Sequence, residues 1–281
     1  MQDRYLRLCC GYEELEHLRI PFIPVRLDVQ WENVTYEFLI NRKLFRRKAV
    51  VFGTGSVRGA KTLPVFSRAK WKYNIPANAV FYFDPTIYLG DCDLGWGYGT
   101  NACWYLERIA AILEILLKKL RVSRENALYY GSSGGGFTSV MLASRLRGKA
   151  SVINPQFFVE QYFPNSVNRM KETVLLPGEE LIPLRTDVIE YFRHTKYIPW
   201  IHLHQNRLAP NDMSRQAEPF REKLQALTGQ WETLLREDYY EDEGGHTAMP
   251  DKKSCLKIIR EDLRFDAEGL YLQTTENETR R

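Results

Sequence analysis

The sequence predicts an α/β fold in which a mostly parallel sheet lies between two helix layers, with an antiparallel hairpin near the N-terminus. Three observations carry the prediction. Short apolar runs typical of strands buried on both faces alternate with helical patterns. Residues 104–120 place apolar side chains three and four positions apart, as in an amphipathic helix. A Gly/Ser-rich pentapeptide stands at a predicted strand-to-helix junction.

The elements follow in chain order. Residues 25–30 and 35–40 alternate apolar and polar side chains around a short turn and are typical of an antiparallel hairpin. Further strands and helices then alternate, which favours parallel strands joined by right-handed crossovers. The predicted strands are 49–52, 79–83, 127–130, 150–153, 199–204 and 231–236, and the predicted helices are 104–120, 137–146 and 215–227.

The alternation of strand and helix patterns stops over residues 157–192, which combine four aromatic residues, isolated prolines and charged helical fragments. Two interpretations remain open here: an insertion that covers a cleft as a cap, or an ordinary helical crossover. We expect one domain over residues 1–272, because its length suits a single α/β unit. The polar residues 273–281 are expected to be a disordered tail.

Composition narrows the classes of function. The net charge of +4 is mild and scattered, which argues against a nucleic-acid partner, while a weakly acidic polymer or surface stays open. Five cysteines without C-x-x-C spacing indicate neither a disulfide framework nor a zinc site. The start lacks a signal-like region and no apolar run is long enough for a transmembrane segment, so we expect a cytoplasmic protein.

Residues 131–135 read Gly-Ser-Ser-Gly-Gly, a G-x-S-x-G motif between a predicted strand and a predicted helix. A nucleophilic serine of the α/β-hydrolase type occupies this place on a tight turn. Ser133 has glycine two positions before and after it, whereas Ser132 is preceded at that distance by Tyr130. The motif therefore favours Ser133 as nucleophile, although short Gly/Ser strings also occur in plain turns.

A serine hydroxyl needs a base, which is usually a histidine oriented by a carboxylate. Asp212 follows the predicted strand 199–204, and His246 lies on the glycine-flanked loop 243–247, so that acid and histidine follow the serine in the expected order. Asp212 also fits a helix cap. Alternative acids come just before His246, in the charge run Glu241, Asp242 and Glu243.

Other residues complete the predicted site. The Gly134 amide and the loop containing Thr54 and Gly55 are candidates for the oxyanion hole, because their backbones could approach a substrate closely. Trp96 and Tyr98, set between glycines, are candidates for stacking against a sugar or acyl group. Glycine spacing after residue 53 fits neither a dinucleotide fingerprint nor a phosphate-binding loop.

His202 and His204 alternate on a predicted strand and so share one face, which invites a metal interpretation. No third ligand stands at a useful spacing in the sequence. We therefore predict no metal site.

The chain resembles α/β-hydrolase-type proteins of bacterial capsule and cell-surface polysaccharide loci, a group that includes polysaccharide O-acetyltransferases. The resemblance rests on the order Ser133, Asp212, His246, on the loop 52–55, on the turn Asn154-Pro155-Gln156 and on the glycine/tryptophan stretch before the long helix. It implies a three-layer α/β-hydrolase sandwich and an acyl-enzyme at Ser133, with His246 as base and Asp212 orienting it.

Two functions are expected to compete. The first is a serine-dependent enzyme that hydrolyses a small-molecule ester or moves an acetyl group to a polysaccharide, with acetyl-coenzyme A as a possible co-substrate and no other cofactor. The second is a non-catalytic glycan-binding or scaffold protein, which requires Asp212 and His246 to lie away from Ser133. The sequence does not indicate an oligomeric state.

Overall fold

The computed structural model describes residues 5–273, and most of the predicted tail 273–281 lies outside them. A nine-stranded sheet with the order β1-β2-β3-β5-β4-β6-β7-β9-β10 forms its centre. Its strands are β1 (Leu6–Gly11), β2 (Val25–Trp31), β3 (Val34–Asn41), β4 (Ala49–Phe52), β5 (Asn78–Tyr82), β6 (Ala127–Ser132), β7 (Lys149–Ile153), β9 (Trp200–Asn206) and β10 (Leu235–Tyr240). Two short segments, β8 (Tyr197–Ile198) and β11 (Leu270–Tyr271), pair antiparallel in a separate small sheet.

The N-terminal hairpin is confirmed. Strands β2 and β3 pair antiparallel, with Leu27 opposite Phe38, and β3 continues antiparallel onto β5. From β5 to β10 every neighbouring pair is parallel. Strand β1 was not predicted, since its largely exposed residues form no apolar run; it pairs parallel to β2 at the edge.

Helices cover both faces of the sheet. They are α1 (Tyr105–Lys119), α2 (Gly134–Leu146), α3 (Pro164–Val174), α4 (Val188–Thr195), α5 (Pro210–Asp212), α6 (Glu218–Leu227), α7 (Trp231–Leu234) and α8 (Lys252–Arg264). Apolar side chains of α1, α2, α4 and α6 pack with Ala127 and Tyr129 on one face. Those of α8 pack with Leu128 and Tyr130 on the other. Alternate side chains of β6 thus pack into two cores, one on each face of the sheet. This arrangement gives the predicted three-layer sandwich.

The predicted strand 231–236 is wrong in its position. Residues Trp231–Leu234 form the helical turn α7, and the strand begins only at Leu235. The error has a physical reason: the strand sequence Leu-Arg-Glu-Asp-Tyr-Tyr is largely polar because β10 lies at the edge of the sheet. The sequence of β10 therefore contains no apolar run by which the strand could be located.

The segment 157–192 contains features of both interpretations. Helix α4 packs against α2 as part of the crossover from β7 to β9. Ahead of it, Tyr162 and Phe163 stand directly before α3 and contact the ring of His246. A cap function of this segment stays a prediction. None of the helices described between residues 5 and 273 is long and apolar enough to cross a membrane.

Candidate active site

Ser133 occupies a strained turn between β6 and α2. Its backbone has φ 54° and ψ −130°, in a region that side-chain-bearing residues rarely adopt. A Cβ on Gly131 would lie 2.1 Å from the Gly135 carbonyl oxygen, so only glycine fits where the strand meets the helix. The turn thus presents the serine hydroxyl above the carboxyl end of β6, as in a nucleophile elbow.

The three side chains selected from the sequence lie together. Ser133 Oγ is 2.9 Å from His246 Nε2, and His246 Nδ1 is 2.6 Å from Asp212 Oδ2. Only 3% of the Asp212 side chain and 16% of the His246 side chain are exposed. These contacts form a continuous chain from a buried carboxylate through an imidazole to a hydroxyl.

The alternatives for the acid are not supported by the geometry. Asp212 makes no side-chain hydrogen bond as a helix cap, and its carboxylate accepts from His246 instead. Glu241, Asp242 and Glu243 have exposed side chains, and Asp242 accepts from the Gly244 amide. Ser132 also points elsewhere, because its hydroxyl accepts from Arg68 Nη2 at 2.8 Å.

Two buried asparagines hold the histidine loop. Asn206, at the end of β9, donates to the carbonyls of Asp242 at 2.7 Å and Gly245 at 2.9 Å. Asn154, after β7, donates to the His246 carbonyl at 3.2 Å and to the Ala248 carbonyl at 2.9 Å. Sequence reasoning assigned neither a role. The available signal was a polar side chain at the carboxyl end of each strand, where ligands and catalytic loops gather in such sheets.

Gln156, which the sequence marked only as part of the turn 154–156 and without a role, also contacts Ser133. Its Nε2 donates to Ser133 Oγ at 2.8 Å, and its Oε1 accepts from Trp96 Nε1 at 3.1 Å. The backbone amide of Gln156 also donates to the Ser133 carbonyl at 3.3 Å. Since Gln156 is fully buried, its carboxamide is held at the Ser133 hydroxyl, which thus contacts both Gln156 and His246.

Tyr162 approaches the same nitrogen of His246 that contacts Ser133. Its hydroxyl is 3.3 Å from His246 Nε2, and its ring centroid is 5.5 Å from that of the histidine. Burial raises the pKa of Tyr162, so the phenol stays protonated at neutral pH. A small pocket beside it is lined by Phe163, Asp212 and Arg215.

The loop after β4 lies against the serine turn. A Cβ on Gly53 would come 2.4 Å from the Gly135 carbonyl oxygen, and a Cβ on Gly55 would come 3.6 Å from the Ser132 carbonyl oxygen. The Thr54 hydroxyl is buried and donates to the Tyr82 carbonyl, which leaves backbone amides as the available donors of this loop. The Gly134 N–H lies in the first turn of α2, where amides lack intrahelical partners.

The predicted stacking platform of Trp96 and Tyr98 is buried. Trp96 is 1% exposed and Tyr98 0%, so neither ring has a face open to a substrate. Trp96 packs edge-on to Tyr162 and holds Gln156, while Tyr98 accepts from the Ile182 amide. The glycines that suggested an open aromatic surface instead allow a tight turn around these rings.

His202 and His204 lie on the face of β9 that packs against α8. They are separate from the Ser133 chain of contacts, and Asp238 of β10 lies beside them.

The comparisons with known proteins address the fold. No protein-family model and no curated protein sequence matches the chain. Among solved structures, the capsule O-acetyltransferase of Neisseria meningitidis serogroup A is 14% identical over 85% of this chain and 94% of its own, with a TM-score of 0.60. Carboxyl esterase 2 of Tuber melanosporum is 14% identical over 88% of this chain and 87% of its own, with a TM-score of 0.60.

An acylaminoacyl peptidase of Pyrococcus horikoshii is 13% identical, with a TM-score of 0.61; the match covers 92% of this chain and 44% of the peptidase. The strand order, the helix layers and these likenesses give this chain the α/β-hydrolase fold. The predicted fold class is thereby confirmed.

Proposed function

We propose that the protein is a serine-dependent acyl-transfer enzyme that cleaves an ester through an acyl-enzyme on Ser133. One observation carries the proposal: the 2.9 Å contact from Ser133 Oγ to His246 Nε2, continued by the 2.6 Å contact from His246 Nδ1 to Asp212. A non-catalytic scaffold has no need to bury a carboxylate behind a histidine at a strained serine.

The first half-reaction follows from the hydrogen bonds at Ser133. Oγ accepts from Gln156 and lies against His246 Nε2, so its proton points to the imidazole. As Oγ attacks the ester carbonyl, Nε2 takes this proton, and the Asp212 carboxylate stabilises the imidazolium through Nδ1–H. The imidazolium then protonates the leaving group, which is an alcohol from an oxygen ester or the thiolate of coenzyme A from acetyl-coenzyme A, and the acyl group remains on Oγ.

The carbonyl oxygen gains negative charge during both half-reactions. Backbone N–H groups of Gly134 and of the loop at Thr54 and Gly55 form the oxyanion hole in this proposal, since both segments flank Ser133. In the second half-reaction His246 removes a proton from water or from an acceptor hydroxyl. That oxygen attacks the acyl carbonyl and releases Ser133.

For the acceptor we propose a glycan hydroxyl, with acetyl-coenzyme A as acyl donor. The support is the likeness to the Neisseria capsule O-acetyltransferase, which extends over nearly the whole of both chains and includes a mutant solved in complex with CoA. Hydrolysis is the second candidate, supported by the similar likeness to a carboxyl esterase.

The nucleophile is tested by labelling with a serine-reactive phosphonate. We expect the native protein and Ser132→Ala to label, and Ser133→Ala to lose labelling. Ser132 is a matched control because it is adjacent and its hydroxyl bonds Arg68 rather than His246. Full labelling of Ser133→Ala would remove the basis of the proposal.

The acceptor is tested separately. The native enzyme is incubated with acetyl-coenzyme A, with and without a capsular polysaccharide, and the free thiol and the O-acetyl groups on the polymer are measured. Polymer-dependent thiol release together with O-acetylation is the result expected for transfer. Thiol release that the polymer leaves unchanged assigns the protein to hydrolysis.

A further inference from the structure

A second polar cluster, formed by His202, His204 and Asp238, lies on the α8 face of the sheet at β9 and β10 and takes no part in the proposed reaction. His202 and His204 share a face of β9, and Asp238 pairs in register with His204 from β10. The two imidazole centroids are 3.8 Å apart, and both histidines are more than nine-tenths buried. Asp262 of α8 packs over them.

The hydrogen bonding of this cluster is incomplete. Within residues 5–273, His204 Nε2 is buried without a hydrogen-bond partner, and His204 Nδ1 is 3.9 Å from Asp238 Oδ2, too far for a hydrogen bond. Asp262 Oδ2 is likewise buried and without a partner there. Leaving such buried atoms unsatisfied is destabilising. Within the described residues, the His204 side chain makes no hydrogen bond that a ligand would have to displace.

His202 shows what kind of ligand fits. Its Nδ1 contacts Asp262 Oδ1 and its Nε2 contacts Asp238 Oδ2, both at 2.8 Å. With the imidazole proton on Nδ1 toward Asp262, Nε2 and the Asp238 oxygen both offer lone pairs to a shared cation, either a proton or a metal ion.

The distances suit a small divalent ion. One ligand atom from each of His202, His204 and Asp238 can be chosen so that all three lie within 4.8 Å of one another. Zinc bonds of about 2.0–2.2 Å in a tetrahedron put ligand atoms roughly 3.3 Å apart. The contacts of Asp238 Oδ2 with His202 Nε2, at 2.8 Å, and with His204 Nδ1, at 3.9 Å, bracket that spacing.

We propose that His202, His204 and Asp238 bind a zinc-type divalent ion, with Asp262 holding the His202 ring. Two imidazoles and a carboxylate are ligands that Zn²⁺ and related ions accept, with a fourth position left for water. A carboxylate behind a ligating histidine, as Asp262 stands here, is the usual outer partner in such sites. The third ligand comes from a neighbouring strand, so the spacing within the sequence could not indicate it.

The ion would link β9, β10 and α8. Asp238 is 46% exposed at the edge of the sheet, which gives the ion a route of entry. Arg236 Nη2 lies 3.2 Å from the same carboxylate oxygen and competes with the ion for it. Because the Arg236 side chain is itself 44% exposed, it can turn into solvent when the ion binds.

The test uses the full chain without a polyhistidine tag, stripped with a chelator and then titrated with ZnCl₂. We expect one tightly retained zinc per chain and a rise in the midpoint of thermal unfolding, with MgCl₂ giving neither. Asp238→Asn is expected to weaken zinc binding at least tenfold. Glu261→Gln, an exposed carboxylate next to Asp262, is the matched control and is expected to bind as the native chain does.

Arg236→Gln provides an independent arm, because removing the competing cation is expected to tighten zinc binding severalfold. Failure of the native chain to retain stoichiometric zinc overturns the proposal. Equal zinc affinity in Asp238→Asn and the native chain also overturns it, since the ion would then lie elsewhere, for example at His246. Unchanged or weaker binding in Arg236→Gln counts against Asp238 as a ligand. Circular dichroism of each variant establishes that it is folded.

Discussion

Gln156 joins the reacting hydroxyl to a buried tryptophan. Its carboxamide donates to Ser133 Oγ while Trp96 Nε1 fixes the opposite end. The donor is thus held in place before a substrate arrives, and by occupying a lone pair of Oγ it leaves the hydroxyl proton directed at His246 Nε2, as the proton transfer requires. We therefore expect Gln156 to act on the rate of the chemical step rather than on substrate binding.

Gln156→Glu tests this role. The substituted side chain keeps the size and an acceptor for Trp96, but it replaces the donor to Ser133 with a carboxylate oxygen. We expect kcat for an activated acetyl ester to fall about 100-fold, the lower end of what positioned proton transfer contributes, while KM stays near the native value. Gln225→Glu, an exposed change on α6, is the control. A rise in KM alone would assign Gln156 to substrate binding.

The residues selected from the sequence and the residues missed differ in kind. Ser133, Asp212 and His246 carry a motif and a chain order, and the fold brings them within hydrogen-bond distance. Asn206 belongs to no motif, and Gln156 belongs only to the turn 154–156, which suggested no role for it. Their roles depend on contacts with residues 23 positions away for Gln156 and 36 positions away for Asn206. Short-range patterns in one sequence do not record such contacts.

At the scale of elements, the junction of β6 and α2 sets the position of Ser133. Gly131 ends up against the carbonyl of Gly135, and Gly53 of the neighbouring loop approaches the same carbonyl. Three backbone segments therefore meet without side chains between them. Such close contact makes the junction intolerant of added volume.

Gly131→Ala measures that intolerance. The new Cβ would lie 2.1 Å from the Gly135 oxygen, so the strand or helix must shift. We expect the free energy of unfolding in urea to fall by about 2–3 kcal/mol, as for other overpacked sites. Gly229→Ala is the matched control, because a Cβ there meets nothing within 4 Å, and its effect is expected within about 0.5 kcal/mol. An equal effect of both substitutions would contradict the packing argument.

A strand can be predicted from the sequence when both of its faces are buried. Strands β4, β6 and β7 are covered on both faces, so their apolar runs stand out. Strand β1 and strand β10 lie at the two edges, and their partly exposed residues give no such run. Burial on both faces, rather than strand propensity, therefore decides what periodicity detects.

At the scale of the molecule, tyrosines are built into both cores. Tyr129 points to the α1 and α2 side of the sheet, and Tyr130 to the α8 side. Among the described residues, six tyrosines are at most 1% exposed and have pKa values that burial raises above the ordinary range: Tyr36, Tyr82, Tyr98, Tyr129, Tyr130 and Tyr191. Because these tyrosines lie on both sides of the sheet, the stability of the protein at alkaline pH depends on both cores.

The direction in which stability changes with pH follows from the coupling between proton release and unfolding. A tyrosine with pKa near 10 in the unfolded chain and higher in the folded protein releases its proton mainly on unfolding above that pH. Its contribution is fully present below about pH 10 and is lost as the pH rises toward the folded value, at about 1.4 kcal/mol per pH unit for each residue. We expect the urea midpoint to fall steeply above pH 10. Exposed tyrosines such as Tyr73 ionise in the folded protein, and the further tyrosinate absorbance of the buried ones is expected to appear together with unfolding.

Tyr129→Phe isolates one contribution. Within the described residues the Tyr129 hydroxyl is buried without a hydrogen-bond partner, so its removal costs little packing at neutral pH. The variant is expected to match the native stability near pH 8 and to lose about 1.4 kcal/mol less per pH unit above pH 10. Titrating lysines affect both proteins alike and cancel in the difference. Parallel stability curves for the two proteins would show that Tyr129 ionises without unfolding, contrary to its place in the core.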